Sequence, residues 1–401
     1  MAQGDRFTVF AGLNTDPAVQ AMLRGDIPGA VRRLAAFAEE DGIRGNAWHA
    51  YLCRLLAGDD NVFSRTVELT GRCGPSLERL ARMDLQTLEE LEAEVPGILA
   101  RYEPSVPADD AAGEGRSPCA AAWTASIRGM AAALPQDPDR LYEALVGHLR
   151  TLGRGLSARY SALAWTDGLT GVADTDRITL DELVGIDNQK RTLVENTERF
   201  LQGAGANNVL LFGDSGTGKS SCVKALVNRY QTDGLRLVEM TKHQLGELEK
   251  VLAILAASRH RYIVFLDDLS FEEGELGYKR LKAALEGKAA VTPENVLFYA
   301  TSNRRHLIRE SWADRAAGDE EVHMSDTMQE KLSLSDRFGL RVVFPSPSQD
   351  TYLAIVESYL LRMGIPFSDA LRARAIQWEL TYNGRSGRTA RQFVRSLGPV
   401  R

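Results

Sequence analysis

Eight residues constrain this chain more than any other stretch: Gly213-Asp214-Ser215-Gly216-Thr217-Gly218-Lys219-Ser220. They read G-x-x-x-x-G-K-S, the spacing of a P-loop (Walker A). The apolar run Val209-Leu210-Leu211-Phe212 leads in, and Ser221-Cys222-Val223-Lys224-Ala225-Leu226-Val227 continues as a helix. Strand, glycine-rich loop and helix in that order is the context the motif needs. The glycines let the backbone bend until successive N–H groups face one anion, and the helix N-terminus adds partial positive charge there. Lys219 is then placed to reach β- and γ-phosphates, and the Ser220 hydroxyl to ligate Mg²⁺. Gly213 through Ser221 is therefore the expected phosphate-contacting set. At ordinary residue frequencies such a match arises by accident on the order of once in a hundred chains of this length.

Length and composition set the frame around that loop. The 401 residues suggest two or three domains, and 44% hydrophobic with 25% charged residues is enough for a sizeable core. The net charge of −6 speaks against wholesale nucleic-acid binding, although a local basic patch is compatible with it. Cys53, Cys73, Cys119 and Cys222 show no C-x-x-C spacing and read as reduced thiols of a cytoplasmic protein, not as a disulfide or zinc framework. Met1-Ala2-Gln3-Gly4-Asp5-Arg6 lacks the regions of a signal peptide, and no apolar run approaches ~18 residues, so no membrane span is expected.

Residues 1–175 read as an all-α N-terminal region. Asp26 caps a helix with Ile27, Val31, Leu34 and Ala38 on one face. Asp137-Pro138 starts another, with Leu141, Leu145, Leu149 and Leu152 as its packing stripe and His148 on the flank. His49, among apolar neighbours, reads as a structural histidine. Residues 103–118 are rich in Pro, Gly and small polar residues and form a linker, either a loop between helices or a domain boundary. Tyr160 to Trp165 closes the helical part, and Asp167-Gly168 breaks it.

From residue 176 the pattern alternates between strand and helix. Strands are expected at Asn208–Phe212, Arg236–Met240, Tyr262–Asp267, Val296–Thr301 and Leu340–Phe344. Such alternation implies a parallel sheet covered on both faces, with ligands bound beyond the carboxyl ends of its strands. Tyr262-Ile263-Val264-Phe265-Leu266-Asp267-Asp268 is a Walker B pattern. Asp267 can hold Mg²⁺, and Asp268 can orient or deprotonate an attacking water. Asn303 follows the next apolar strand, where a neutral amide can hydrogen-bond the water or the γ-phosphate. Arg337, in Asp336-Arg337-Phe338-Gly339, can act as an arginine finger toward a neighbouring subunit or pair with Asp336 on the surface. Arg388 or Arg391 can meet phosphates from a lid. After residue 370 there are seven arginines against one acidic residue, Glu379, a solvated face that is also the best candidate for a nucleic-acid contact.

Together these motifs resemble an AAA+ ATPase module over residues 178–401. More narrowly, Phe265-Leu266-Asp267-Asp268-Leu269-Ser270-Phe271-Glu272, Tyr299-Ala300-Thr301-Ser302-Asn303-Arg304-Arg305-His306-Leu307 and Leu332-Ser333-Leu334-Ser335-Asp336-Arg337-Phe338-Gly339-Leu340 are similar to a bacterial family of uncharacterised AAA+-like ATP-binding proteins. The resemblance implies a five-stranded parallel sheet of order 5-1-4-3-2 over 176–346 and a small helical lid over 347–401. It implies that Leu183-Val184-Gly185-Ile186 lines the adenine pocket, that Arg337 acts in trans, and that Arg388 is sensor 2. Two departures stand out. Asp268 replaces the glutamate of many AAA+ motors and is shorter by one methylene, so hydrolysis is slow or bridged through Glu272 or Glu273. Thr241-Lys242-His243 is polar where an unfoldase carries an aromatic pore loop.

The expected function is that of a cytoplasmic, oligomeric Mg²⁺-ATPase. It would couple hydrolysis to the remodelling or assembly of a protein partner chosen by the helical N-terminal region. The alternatives are a nucleotide-gated switch with slow hydrolysis and a nucleic-acid-associated loader, the latter disfavoured by the net charge.

Overall fold

The structure is a computed structural model that describes residues 6–90, 97–105, 117–134, 137–271, 275–286, 292–303, 334–382 and 384–398. The chain divides into two units, Met1–Ser161 with Ala257–His260 and Ala162–Ala256 with Arg261–Arg401.

The first unit is helical. Its helices are α1 (Pro17–Leu23), α2 (Ile27–Asp41), α3 (Ala47–Gly58), α4 (Val62–Thr70), α5 (Pro75–Glu90), α6 (Gly97–Ala100), α7 (Pro118–Ala133), α8 (Pro138–Thr151) and α9 (Gly155–Arg159). Short polar side chains set where they start. The Asp26 carboxylate accepts from Gly29 N at 3.0 Å, Asn46 from His49 N at 3.0 Å, and Asp137 from Asp139 N at 2.9 Å. Each answers a backbone donor that the first turn leaves unpaired. Trp48, Phe63, Leu141, Leu145 and Leu149 are fully buried in one core. His148 lies buried with its Nδ1 2.8 Å from Ser126 Oγ. Of the expected linker, residues 106–116 lie outside the described residues; Ser117 caps α7.

The second unit is a seven-stranded sheet of β1 (Ala162–Trp165), β2 (Leu169–Gly171), β3 (Val209–Gly213), β4 (Leu235–Met240), β5 (Arg261–Leu266), β6 (Val296–Ser302) and β7 (Leu340–Phe344). Its order is β2-β1-β4-β5-β6-β3-β7. Counted from the P-loop strand β3, the parallel strands β7-β3-β6-β5-β4 follow the expected order 5-1-4-3-2. The correction lies at the far edge. Residues 162–165, expected to close a helical segment, form a strand parallel to β4, and β2 folds back antiparallel on it. Ala-Leu-Ala-Trp is too short for its apolar pattern to separate strand from helix. The Asp167-Gly168 step that reads as a helix breaker is the turn of a hairpin.

Every residue of β6, and all but the first of β5, is buried, as central strands covered on both faces require. Helices α10 (Asp187–Leu201), α11 (Lys219–Tyr230), α12 (Leu248–Ala256) and α13 (Leu276–Glu286) alternate with the strands. Helices α14 (Gln349–Arg362), α15 (Asp369–Thr381) and α16 (Gly387–Ser396) follow β7 and bury Tyr352, Val356, Leu360, Ala375 and Phe393 against one another.

Candidate functional site

Beyond the carboxyl ends of β3, β5 and β6 lies a cleft of about 640 Å³. Its floor is the loop between β3 and α11. Gly213 closes β3 with φ +143°, and a Cβ there would sit 1.9 Å from the Phe344 carbonyl oxygen, so the close approach of β7 demands glycine. Gly216, at φ +77°, turns the loop back; a Cβ there would meet Ser386 and Arg388 at 3.0 Å.

Lys219 opens α11 and is almost fully buried. Its ammonium donates to Gly213 O at 2.7 Å, to Asp214 O at 2.7 Å and to Asn303 Oδ1 at 3.0 Å. Burial pulls its pKa below the usual lysine value; Asp214, Asp267 and Asp268 oppose that, and Arg388 adds to it. One residue on, Ser220 Oγ donates to Asp267 Oδ1 at 2.6 Å. Asn303 Nδ2 donates to Asp268 Oδ1 at 2.8 Å, so one amide joins the ammonium to the second carboxylate. Asp268 has φ +51°, the positive value of a non-glycine residue among the described residues. Outliers of that kind cluster at functional sites.

The sequence-expected residues thus converge. Ser215, Gly216, Thr217, Gly218, Lys219, Ser220 and Ser221 line the cleft with Asp267, Asp268 and Asn303. Gly213 and Asp214 contribute the carbonyls that hold Lys219. Val184, Gly185 and Ile186 line an apolar wall with Ile355 and Tyr359. Arg388 and Arg391 both face the cleft, and Gly387 N donates to Gly216 O at 3.0 Å, tying the first turn of α16 to the loop. Arg337 is not among the lining residues. Its Nε pairs with Glu286, while the surface partner of Asp336 is Arg341 at 3.0 Å. The alternative pairing of Arg337 with Asp336 is therefore replaced. Glu272, Glu273 and residues 304–333 lie outside the described residues.

Two contributors escaped the motifs. Ser346, just past β7, hydrogen-bonds the Asp214 carboxylate. Thr301, two residues before Asn303, binds both Asp267 and the backbone of Asp268. No local spacing signals either residue, because the carboxylates they bind, Asp267 and Asp214, are distant in sequence.

The donor set fits a magnesium nucleoside triphosphate. The hydroxyl of Ser220 and the carboxylate of Asp267 are hard oxygen ligands, and Mg²⁺ is commonly held by one or two such groups plus phosphate and water. Lys219, Arg388 and Arg391 offer charged donors to phosphate oxygens. The cleft volume lies within the range of small-molecule sites. Among the described residues no cluster of three or more His, Cys, Asp or Glu could hold a metal, and no helix is long and apolar enough to cross a membrane.

Comparison with known proteins adds relatives to this geometry. Over 134 residues the chain is 30% identical to proteasome-activating nucleotidase 2 of Haloferax volcanii, a match covering 30% of this chain and 32% of that one. Over 213 residues it is 25% identical to spastin of Bos taurus, covering 49% and 31%. The chain spans only a minor part of the length of these curated relatives. Among solved structures, AMPPCP-bound DnaA from Aquifex aeolicus superposes with a TM-score of 0.39 at 14% identity, covering 56% of this chain and 65% of that one. RuvB from Thermotoga maritima superposes with a TM-score of 0.36 at 16% identity, covering 55% and 72%. The model of the family described as "Protein of unknown function (DUF815)" matches residues 158–399. The chain belongs to that family, an uncharacterised one whose P-loop core has the AAA+ architecture.

Proposed function

We propose that this protein is a Mg²⁺-dependent ATPase that couples hydrolysis to the remodelling or assembly of a protein partner. The observation that carries the reading is the hydrogen-bonded meeting of Lys219, Ser220, Asp267, Asp268 and Asn303 at three neighbouring strand ends. Bound Mg²⁺ would supply charge neutralisation at the phosphate oxygens. Ser220 and Asp267 would hold it. Val184, Gly185 and Ile186 would bound the adenine, and the N–H groups from Gly213 to Ser221 would cradle the phosphates. Lys219, held by two loop carbonyls, is poised to exchange one of them for a phosphate oxygen. Asp268 would orient a water and take up its proton, with Asn303 fixing the carboxylate. Arg388, with Arg391 beside it, would meet the phosphates from the lid helix α16.

Arg337 would serve a second copy of the chain. Its guanidinium would leave Glu286 to reach the neighbour's nucleotide, which makes the protein a homo-oligomer in its active state. The helical unit would choose the protein partner, in the cytoplasm. Nucleic acid is the less favoured partner because the net charge is −6, and the polar stretch Thr241–His243 speaks against threading of a protein chain. Steady-state phosphate release by the purified protein tests the reading. Wild-type turnover should vanish in Lys219→Ala and Asp268→Asn; equal rates in all three would dismiss it.

A second reading has its own observation. Asp268 is one methylene shorter than glutamate, and its Oδ1 is already engaged by Asn303 at 2.8 Å. Both features favour a switch that binds ATP tightly, assembles, and hydrolyses slowly. Turnover on the order of 1 s⁻¹ or faster would exclude it, since that is ordinary enzymatic speed.

A further inference from the structure

Three hydrogen bonds tie the chain leaving β5, from Asp267 to Leu269, to one residue on the neighbouring strand. Thr301 Oγ1 donates to Asp267 Oδ1 at 2.6 Å. The same oxygen accepts from Asp268 N at 2.8 Å. The Thr301 carbonyl accepts from Leu269 N at 2.7 Å. The β5–β6 register explains how: Leu266, the last residue of β5, is paired with Ala300, so the chain leaving β5 must pass Thr301 at once. Thr301 is 2% exposed while Asp267 and Asp268 are exposed, so the anchor is fixed by the sheet and the carboxylates are not.

The anchor also answers a question of conformation. Left-handed backbone is disfavoured for an L-residue and persists only where surrounding contacts impose it. Asp268 is held in it with φ +51°. The bond from Asp268 N to Thr301 Oγ1 and the bond from Leu269 N to Thr301 O bracket that residue on both sides. Two positions on, just past the strand, Asn303 donates to the Asp268 carboxylate. Thr301 lies in β6 and Asn303 follows its last residue, Ser302, so the backbone and the side chain of Asp268 are set from the end of one strand.

We propose that Thr301 is a positioning residue for the reaction: its hydroxyl fixes Asp267 as a metal ligand and holds Asp268 in the conformation that presents its carboxylate to the cleft. The proposal rests on the Mg²⁺-ATPase reading above and assigns to that site a residue outside the P-loop, Walker B and Asn303 motifs. Serine retains the hydroxyl; valine retains the shape and loses it.

The test compares wild type, Thr301→Val, Thr301→Ala and Thr301→Ser by three measurements. In EDTA, a fluorescent ATP analogue should bind all four with the same affinity within about twofold, because the loop and Lys219 are untouched. Mn²⁺ titrated into the protein–ADP mixture and followed by electron paramagnetic resonance should bind the valine and alanine variants several-fold more weakly. Their kcat should fall roughly tenfold or more with KM for ATP nearly unchanged, as small misplacements of catalytic groups do, and the serine variant should recover both quantities. Wild-type values of Mn²⁺ affinity and kcat in the valine and alanine variants would overturn the proposal. So would a loss of metal-free nucleotide binding that serine fails to restore, because that marks a merely structural role. A wild-type protein that binds no ATP analogue at all would remove the ATPase reading itself, and the proposal with it.

Discussion

Asp84 in the helical unit and Asp267 in the α/β unit are both aspartates held by several hydrogen bonds, and they are used in opposite ways. Asp84 is buried, and its two oxygens accept the backbone N–H groups of Thr8, Val9 and Phe10 at 2.7–3.0 Å. Asp267 is exposed at a strand end, and the hydroxyls that donate to it belong to side chains lining a cleft. The same contrast repeats. In the helical unit, buried Asp41 pairs with Arg54 and Arg159, and buried Glu68 with Arg154. In the α/β unit, Ser220 answers Asp267, and Asn303 joins Lys219 to Asp268, through groups that a phosphate or a cation can replace. Polar groups answered by backbone or by buried ion pairs hold a fold together. Polar groups answered by exchangeable neighbours at an open cleft make a site.

That contrast breaks most readily at Lys219. Lys219→Ala should weaken ATP binding on the order of a thousandfold, since it deletes a charge aimed at the phosphates from a loop it also braces. Melting temperature in the absence of nucleotide should barely move, and an equal loss of folding would show that Lys219 belongs with the structural group. Asp84→Ala is the converse. It strands buried N–H groups that had an ionised acceptor, so unfolding in urea should become easier by about 4 kcal/mol. ATP hydrolysis per folded molecule should stay at the wild-type rate.

The third prediction concerns His148. Burial pushes its imidazole down to about 4 from an ordinary value of 6.5. Between those two values the unfolded chain takes up a proton that the folded one refuses. Stability is therefore complete above pH 6.5 and falls as pH drops toward 4, by up to about 3 kcal/mol for this group. Denaturant unfolding followed by tryptophan fluorescence at pH 7 and pH 5 should show the loss. His148→Gln should flatten it, and an unchanged slope would contradict the assignment. The smallest effect belongs to the lid. Arg388→Ala should weaken ATP binding about tenfold, the order of one charge-assisted contact. Arg391→Ala should weaken it less, because that guanidinium lies near the Tyr359 ring, 5.8 Å from its centroid. Reversed magnitudes would make Arg391 the phosphate contact.

What was legible in the sequence was short-range. The P-loop, the carboxylate pair and Asn303 each declare themselves within a few residues of an apolar strand, because strand ends and glycine turns have local rules. The order of the five parallel strands came through resemblance, and the structure agrees. The β1–β2 hairpin was missed because four apolar residues carry no period and Asp167-Gly168 serves as breaker and hairpin turn alike. Thr301 and Ser346 were missed for another reason: a lone hydroxyl becomes part of a site only through partners distant in sequence, Asp267 and Asp214, which no spacing rule connects. The Arg337–Glu286 pair is of the same kind.

Isothermal titration of Mg-ATP into the wild-type chain and into Lys219→Ala tests the central claim most directly. The expected result is a saturable heat with the wild type and none with the variant. Matching heats from the two proteins, or none from either, would contradict a nucleotide site at the P-loop.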